Sequence, residues 1–205
     1  MPGRLFLTAQ TSEVAAFFQT TVPGDANDPP RYNIAPGQEV WAMTSEGLKR
    51  MWWGIIPVGR KNARGRPVLE TIVNARSETV FEKSAFEGVR RAIVPASGWY
   101  EWTGVKRRKI AWRITPKAGG LLAFAAIFDV WKAPNGLEVL QCATVTCPPS
   151  EDVRDIHHRM GVLLLPDTLS IWLSGTEDEA RGLMHPHPAG RLSVEETKGV
   201  DWTSA

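Results

Sequence analysis

Hydrophobic residues along this chain fall in short blocks broken by Gly, Pro, Asn and Asp, the pattern of a protein built from short strands. The first block, residues 5–8, follows the N-terminus at once and ties it to the core. Behind Ser12, a candidate cap, Val14, Phe17 and Phe18 stand at i, i+3 and i+4 and predict a short helix. Residues 23–30 carry Gly24, Asp25, Asn27 and Asp28 among prolines and predict a loop. Residues 40–44 and 48–53 flank Ser45-Glu46-Gly47 as a hairpin, closed by Trp53-Gly54-Ile55-Ile56-Pro57. The basic stretch 58–67 is too polar for a core and predicts an exposed loop.

Asn74-Ala75-Arg76-Ser77-Glu78-Thr79 predicts the start of a helix running to about Glu87. Asn74 and Ser77 then serve either as caps or as an anion-receiving helix start. Residues 91–102 predict a buried strand punctuated by Pro95 and Gly98. Strands over 110–115, 121–130 and 137–146 form a meander, followed by a polar segment at 150–159 and a strand at 162–165. Short helices at 167–173 and 177–184 lead into a Pro-rich tail from about residue 185. Strands dominate and helices lie at the edges. The expected fold is α+β, a single domain over residues 1–205 on a curved, mostly antiparallel sheet with peripheral helices.

Composition narrows the picture only a little. A hydrophobic fraction of 43% and a charged fraction of 22% describe an ordinary globular protein. The net charge of +2 announces no nucleic acid, yet Arg60, Lys61, Arg64 and Arg66 cluster, and residues 106–109 are an unbroken basic run. Nine Trp are more than a core of this size needs, which leaves rings for stacking on a ligand. Cys142 and Cys147 sit in an apolar stretch and are expected to be reduced core residues. Without a signal peptide or a membrane-length apolar run, a cytoplasmic monomer is expected. His157 and His158 are adjacent, so on an extended chain they point apart, and no third ligand lies at zinc spacing. Neither a metal nor a cofactor is expected.

One carboxylate stands out. Glu101 lies between Tyr100 and Trp102 at the end of a predicted buried strand. Held among rings it is desolvated, which favours its neutral form and suits it to donate a proton near neutral pH. On a surface strand it simply faces water.

Six segments, in order, change the balance: Met1-x-Gly3-Arg4, Arg31-Tyr32-Asn33-Ile34-Ala35-Pro36, Trp53 to Pro57, Asn74 to Thr79, Val94 to Trp102, and Ile156-His157-His158-Arg159-Met160. In these segments, which run from residue 1 to about 166, the chain resembles the SOS-response-associated peptidase (SRAP) family. The resemblance implies a mixed fold around a β-barrel-like sheet, binding of single-stranded DNA, and covalent attachment to abasic sites through the residue after the initiator Met. By that likeness Glu101 and His157 match an acid/base pair, and Asn74 the residue that positions the nucleophile. Arg4, Arg76 and Arg159 match basic residues of a DNA channel; Asn33, Pro36 and Trp102 match positions lining it.

The chain departs from the family pattern where the nucleophile stands. The family's second residue is Cys, whose amine and thiol close a thiazolidine on the aldehyde; here it is Pro2. Without that thiol, cysteine-peptidase chemistry and a thiazolidine are both excluded. A Trp usual after the Trp-Gly-x-x-Pro segment is also replaced, by Val58-Gly59-Arg60. Three readings follow. Removal of Met1 exposes the secondary amine of Pro2, which forms an iminium with an abasic aldehyde and makes the protein a transient crosslinker or lyase. Alternatively the protein binds abasic or single-stranded DNA without chemistry, or it keeps only the fold.

Overall fold

The computed structural model describes residues 2–57, 64, 70–105, 108–132 and 135–203. Its strands in chain order are β1 (Leu5–Leu7), β2 (Arg31–Ile34), β3 (Glu39–Thr44), β4 (Gly47–Trp53), β5 (Asn74–Arg76), β6 (Arg90–Ala96) and β7 (Gly98–Val105). There follow β8 (Arg108–Pro116), β9 (Leu122–Lys132), β10 (Glu138–Cys147), β11 (Met160–Gly161), β12 (Leu163–Leu164) and β13 (Leu192–Thr197). Three short helices, α1 (Thr11–Phe17), α2 (Leu169–Ser174) and α3 (Glu177–Gly182), sit at the periphery.

Two sheets carry the fold. One is antiparallel, in the order β13-β8-β7-β1-β2. The other runs β11-β10-β4-β3-β6-β9-β12, with β9 also pairing back to β10 and β5 paired to β10. Its curvature is barrel-like, as expected. It stops short of a closed barrel because some seams are thin: β3 meets β6 only at Met43↔Ile93. It is also mixed, since β10 pairs in parallel with both β4 and β5.

Residue type explains where each strand lies. The run Leu122 to Phe128 in β9 is buried throughout, because β6 and β10 flank it and both faces are covered. In β4, by contrast, Met51 and Trp53 turn inward while Arg50 and Trp52 face out. Two of the buried indoles find carbonyl partners: Trp53 Nε1 donates to the Val73 carbonyl at 3.2 Å and Trp172 Nε1 to the Ala92 carbonyl at 2.8 Å. Cys142 and Cys147 are buried and unbridged, and burial pushes both thiols up to about 12.

Several expectations need correction. The helix expected from Asn74 to about Glu87 does not form. Asn74–Arg76 is a strand in register with residues 144–146 of β10, followed by turns and one 3-10 turn at Ser84–Phe86. The backbone groups a helix would use internally are engaged instead: Ser77 N–H donates to the Thr146 carbonyl at 2.8 Å, and Thr144 N–H to the Val73 carbonyl at 3.0 Å. Tertiary pairing overrides the capping pattern, and the anion site at a helix start goes with it. The first helix begins two residues earlier than expected, capped from Gln10 rather than Ser12; the Gln10 N–H donates to the Glu13 carboxylate at 2.7 Å. The tail holds a strand, β13, whose alternating Leu192-Ser193-Val194-Glu195 covers the edge of β8. Of the basic stretch 58–67 only Arg64, an exposed turn residue, lies within the described residues.

Candidate functional site

Residue 2 is delivered to the interior by β1. Leu5 pairs with Trp99 of β7, and Tyr100 N–H donates to the Arg4 carbonyl at 2.9 Å. Continuing that antiparallel register sets Gly3 level with Glu101. Pro2 is buried. Its carbonyl accepts from Asn74 Nδ2 at 2.9 Å, while Asn74 Oδ1 accepts from the Thr144 hydroxyl at 2.6 Å. The first bond fixes which way the amide points, because the Pro2 carbonyl can only accept and so must face the NH2 group. Thr144 is fully buried in β10, directly opposite Asn74.

A close packing contact completes this wall. A Cβ placed on Gly161 would lie 2.4 Å from the Phe124 ring and 3.4 Å from the Pro2 ring. Only glycine lets the backbone approach Phe124 so closely, and the pyrrolidine of Pro2 packs beside it. Trp99 meets the same Phe124 edge-on at 5.6 Å. Glu101 projects from the Trp99 side of β7, two residues on.

Glu101 is 4% exposed. Desolvation raises its carboxyl to about 7, against the pull of the positive charge at the chain's N-terminus. His157 moves the opposite way. Desolvation lowers it to about 4, helped by the N-terminal charge and by His158. The ordinary order of a carboxyl and an imidazole is therefore reversed. Near pH 7 a substantial share of Glu101 carries a proton while His157 is neutral. His157 Nδ1 lies 3.0 Å from the Arg159 N–H and 3.1 Å from the Arg159 carbonyl, so the Arg159 backbone holds that nitrogen in either tautomer. The two adjacent imidazoles do not point apart as expected; they stack with centroids 4.4 Å apart and planes at 23°. Residues 151–156 are turns rather than extended chain, which removes the alternation.

The basic residues are not equivalent. Arg76 is exposed on β5, on the same side as Asn74 two residues before it. Arg4 is half-buried and donates to the Gly3 carbonyl at 3.2 Å. Arg159 is only 11% exposed and gripped at both terminal nitrogens by Glu78, one bond at 3.0 Å; it also donates to the Thr146 hydroxyl at 3.2 Å and to the Thr146 carbonyl. That guanidinium holds the Glu78 carboxyl down at about 2.

Asn33, Pro36 and Trp102 lie apart from the catalytic candidates. Tyr100 and Trp102 occupy the opposite face of β7 from Glu101, and Trp202 meets both, at 5.0 and 5.1 Å. Asn33 is buried and donates to the Asp201 carbonyl at 3.1 Å. Pro36 is half-buried in the turn between β2 and β3. The structure thus brings Pro2, Asn74, Glu101 and His157 around one buried chain start and leaves the aromatic positions on another surface. Sequence reasoning gave no role to Thr144, Glu78, Gly161 or Asp201-Trp202. Thr144 alone carried a usable signal, a polar residue inside an apolar strand whose burial demands a partner.

These features define a β-rich domain with a titratable pair beside residue 2, and the sequence profile of one family, SOS response associated peptidase (SRAP), matches residues 1–199. The chain belongs to that family. It is 34% identical over 182 residues to abasic site processing protein YoaM of Bacillus subtilis (strain 168), covering 83% of this chain and 79% of that protein. Mouse (Mus musculus) abasic site processing protein HMCES is 31% identical over 170 residues, covering 66% of this chain and 48% of its own. A solved Bacteroides thetaiotaomicron protein shares the fold, with a TM-score of 0.82 at 23% identity over 95% of this chain and 91% of that chain.

Proposed function

We propose that this protein binds single-stranded DNA at abasic sites and forms a transient iminium there through the secondary amine of Pro2, once Met1 is removed. The observation that carries the reading is the placement of Pro2: buried, held at its carbonyl by Asn74, and beside a carboxyl and an imidazole whose proton affinities are inverted. The relatives' names supply the substrate class.

An abasic deoxyribose is mostly a closed hemiacetal. Neutral His157, in the tautomer that donates Nδ1–H to the Arg159 carbonyl, takes the hydroxyl proton at C1′ on Nε2 while the Glu101 carboxylic acid donates to the ring oxygen, opening the ring to the aldehyde. The Pro2 nitrogen then adds to the aldehyde carbon. The proton of the added nitrogen passes to the Glu101 carboxylate and the alkoxide takes the proton held by His157; the carbinolamine hydroxyl then departs as water with the proton now on Glu101, leaving an iminium. Water reverses the adduct, or the iminium acts as an electron sink for β-elimination of the 3′ phosphate. With no thiol at position 2, no ring closes to make the link durable. Arg76 and Arg4 supply phosphate contacts; Asn33, Pro36, Trp102 and Arg159 are carried over to the DNA path by the family pattern alone.

Borohydride trapping on an abasic oligonucleotide tests this, with intact mass first establishing that Met1 is absent. Reduction converts the labile iminium to a stable amine, so a covalent complex through Pro2 is expected only with borohydride. Met-free protein that binds the oligonucleotide yet never traps it is instead a binding module without covalent chemistry.

A further inference from the structure

What holds His157 in place is not obvious from its own segment, which is a series of turns with no strand to fix it. Its backbone N–H reaches the Val153 carbonyl at 3.0 Å, but that orients the chain and not the ring. The ring is oriented by residue 159, whose backbone N–H and carbonyl both meet Nδ1. Arg159 in turn is fixed by its side chain. Glu78 takes both terminal nitrogens of the guanidinium, and the Thr146 carbonyl and hydroxyl take further bonds from one of them.

Thr146 stands two residues beyond Thr144 on β10, and Thr144 holds Asn74. The β5–β10 ladder is therefore a common base for Asn74 and for the anchor of His157. Glu78 follows directly from that ladder, because Ser77 N–H is the last to bond into it.

We propose that Glu78 is a positioning residue for the chemistry at residue 2: its carboxylate clamps the Arg159 guanidinium to β10, and the clamped Arg159 backbone holds His157 at Nδ1 and so directs Nε2 to the substrate. On this reading Arg159 acts on the chemistry through His157, apart from any contact its guanidinium makes with DNA. The opposing possibility, that Glu78 holds the seat of a DNA phosphate, makes the opposite forecasts.

The inference rests on the proposed function for its rate readout but not for its titration readout. The test uses the Met-free full chain, Glu78→Gln, Glu78→Asp and Arg159→Lys. Three quantities are read: affinity and salt slope for a single-stranded oligonucleotide with a tetrahydrofuran abasic analogue, borohydride trapping rate at saturating abasic oligonucleotide, and the titration of His157 by NMR. Glu78→Gln is expected to leave affinity and salt slope unchanged and slow trapping by about tenfold, the scale of a small misplacement. It should also raise the His157 midpoint from about 4 toward its ordinary 6.5 as the segment loosens and the ring is solvated. Glu78→Asp, which keeps the charge, should recover part of both effects, and Arg159→Lys should resemble Glu78→Gln in trapping rate and in the His157 titration. Tighter binding with a steeper salt dependence in Glu78→Gln would overturn the proposal in favour of a phosphate seat. An unmoved His157 titration would overturn it too. If the unaltered protein traps no oligonucleotide, the iminium reading fails on its own, and the His157 titration still decides the role of Glu78.

Discussion

The two faces of β7 are neighbours in sequence and opposites in physics. Trp99 and Glu101 point toward Phe124 and the start of the chain, into space from which water is excluded. Tyr100 and Trp102 point the other way and are met by Trp202 of the last described residues. The inner face holds a carboxyl that cannot be charged cheaply, which makes its proton available. The outer face holds rings packed on Trp202, with the Arg113 charge acting on the Tyr100 hydroxyl. One eight-residue strand thus separates proton transfer from surface contact by nothing more than side-chain alternation.

Overpacking the hinge of this arrangement should break it most severely. A Cβ at Gly98 would lie 2.3 Å from the Ile114 carbonyl and 2.4 Å from the Phe6 ring. Gly98→Ala is expected to cost about 3 kcal/mol, measured by urea unfolding, with both faces of β7 disturbed.

The inner face alone is addressed by Glu101→Gln. Trapping should slow by on the order of 10²-fold, because the amide cannot donate the carboxyl proton. The stability profile supplies a second check. The folded-state carboxyl lies above its ordinary value of 4.5, so its contribution is whole below that pH and is lost as pH rises through about 7. Unfolding curves of the unaltered protein should lose stability across that window, and Glu101→Gln should flatten the loss. His157 works with the other sign. Its lowered midpoint means stability falls as pH drops from 6.5 toward about 4, a limb that Glu101→Gln should leave in place.

Thr144→Val sharpens the role of the inner wall at smaller cost. It keeps the shape but leaves Asn74 Oδ1 without its 2.6 Å donor, so the amide is held only at the Pro2 carbonyl. An effect of about 1–3 kcal/mol on stability is expected by thermal melting. The drop in trapping rate should match that of Asn74→Ala if orientation is the point. Smallest of all should be Trp202→Ala on the outer face. It removes two edge contacts worth about 1 kcal/mol together, and the titration of Glu101 at about 7 should not move.

Strands were legible in the sequence where pattern alone decides them. The hairpin around Ser45-Glu46-Gly47 and the meander after residue 110 appear where they were expected, within a few residues. The segment from Asn74 was misread because its capping residues are spent on another strand, β10, nearly seventy residues away, and no local pattern carries that pairing. The same reason hid Thr144 and Glu78: each matters through a partner distant in sequence. Glu101 was legible as an anomaly between two rings, while its gathering with Pro2, Asn74 and His157 was legible only through the order of family motifs. The outer-face cover was invisible, since Asp201 and Trp202 look like any polar end of a chain and lie beyond the family's matched residues.

That cover has an optical consequence. Trp102 and Trp202 lie 5.1 Å apart with their planes at 63°, near enough and oblique enough for their excited states to couple. Such a pair gives a split band in the ultraviolet circular dichroism that a lone indole does not. The protein therefore carries a built-in reporter at its chain end, readable without any label, which disappears when Trp202 leaves its neighbours.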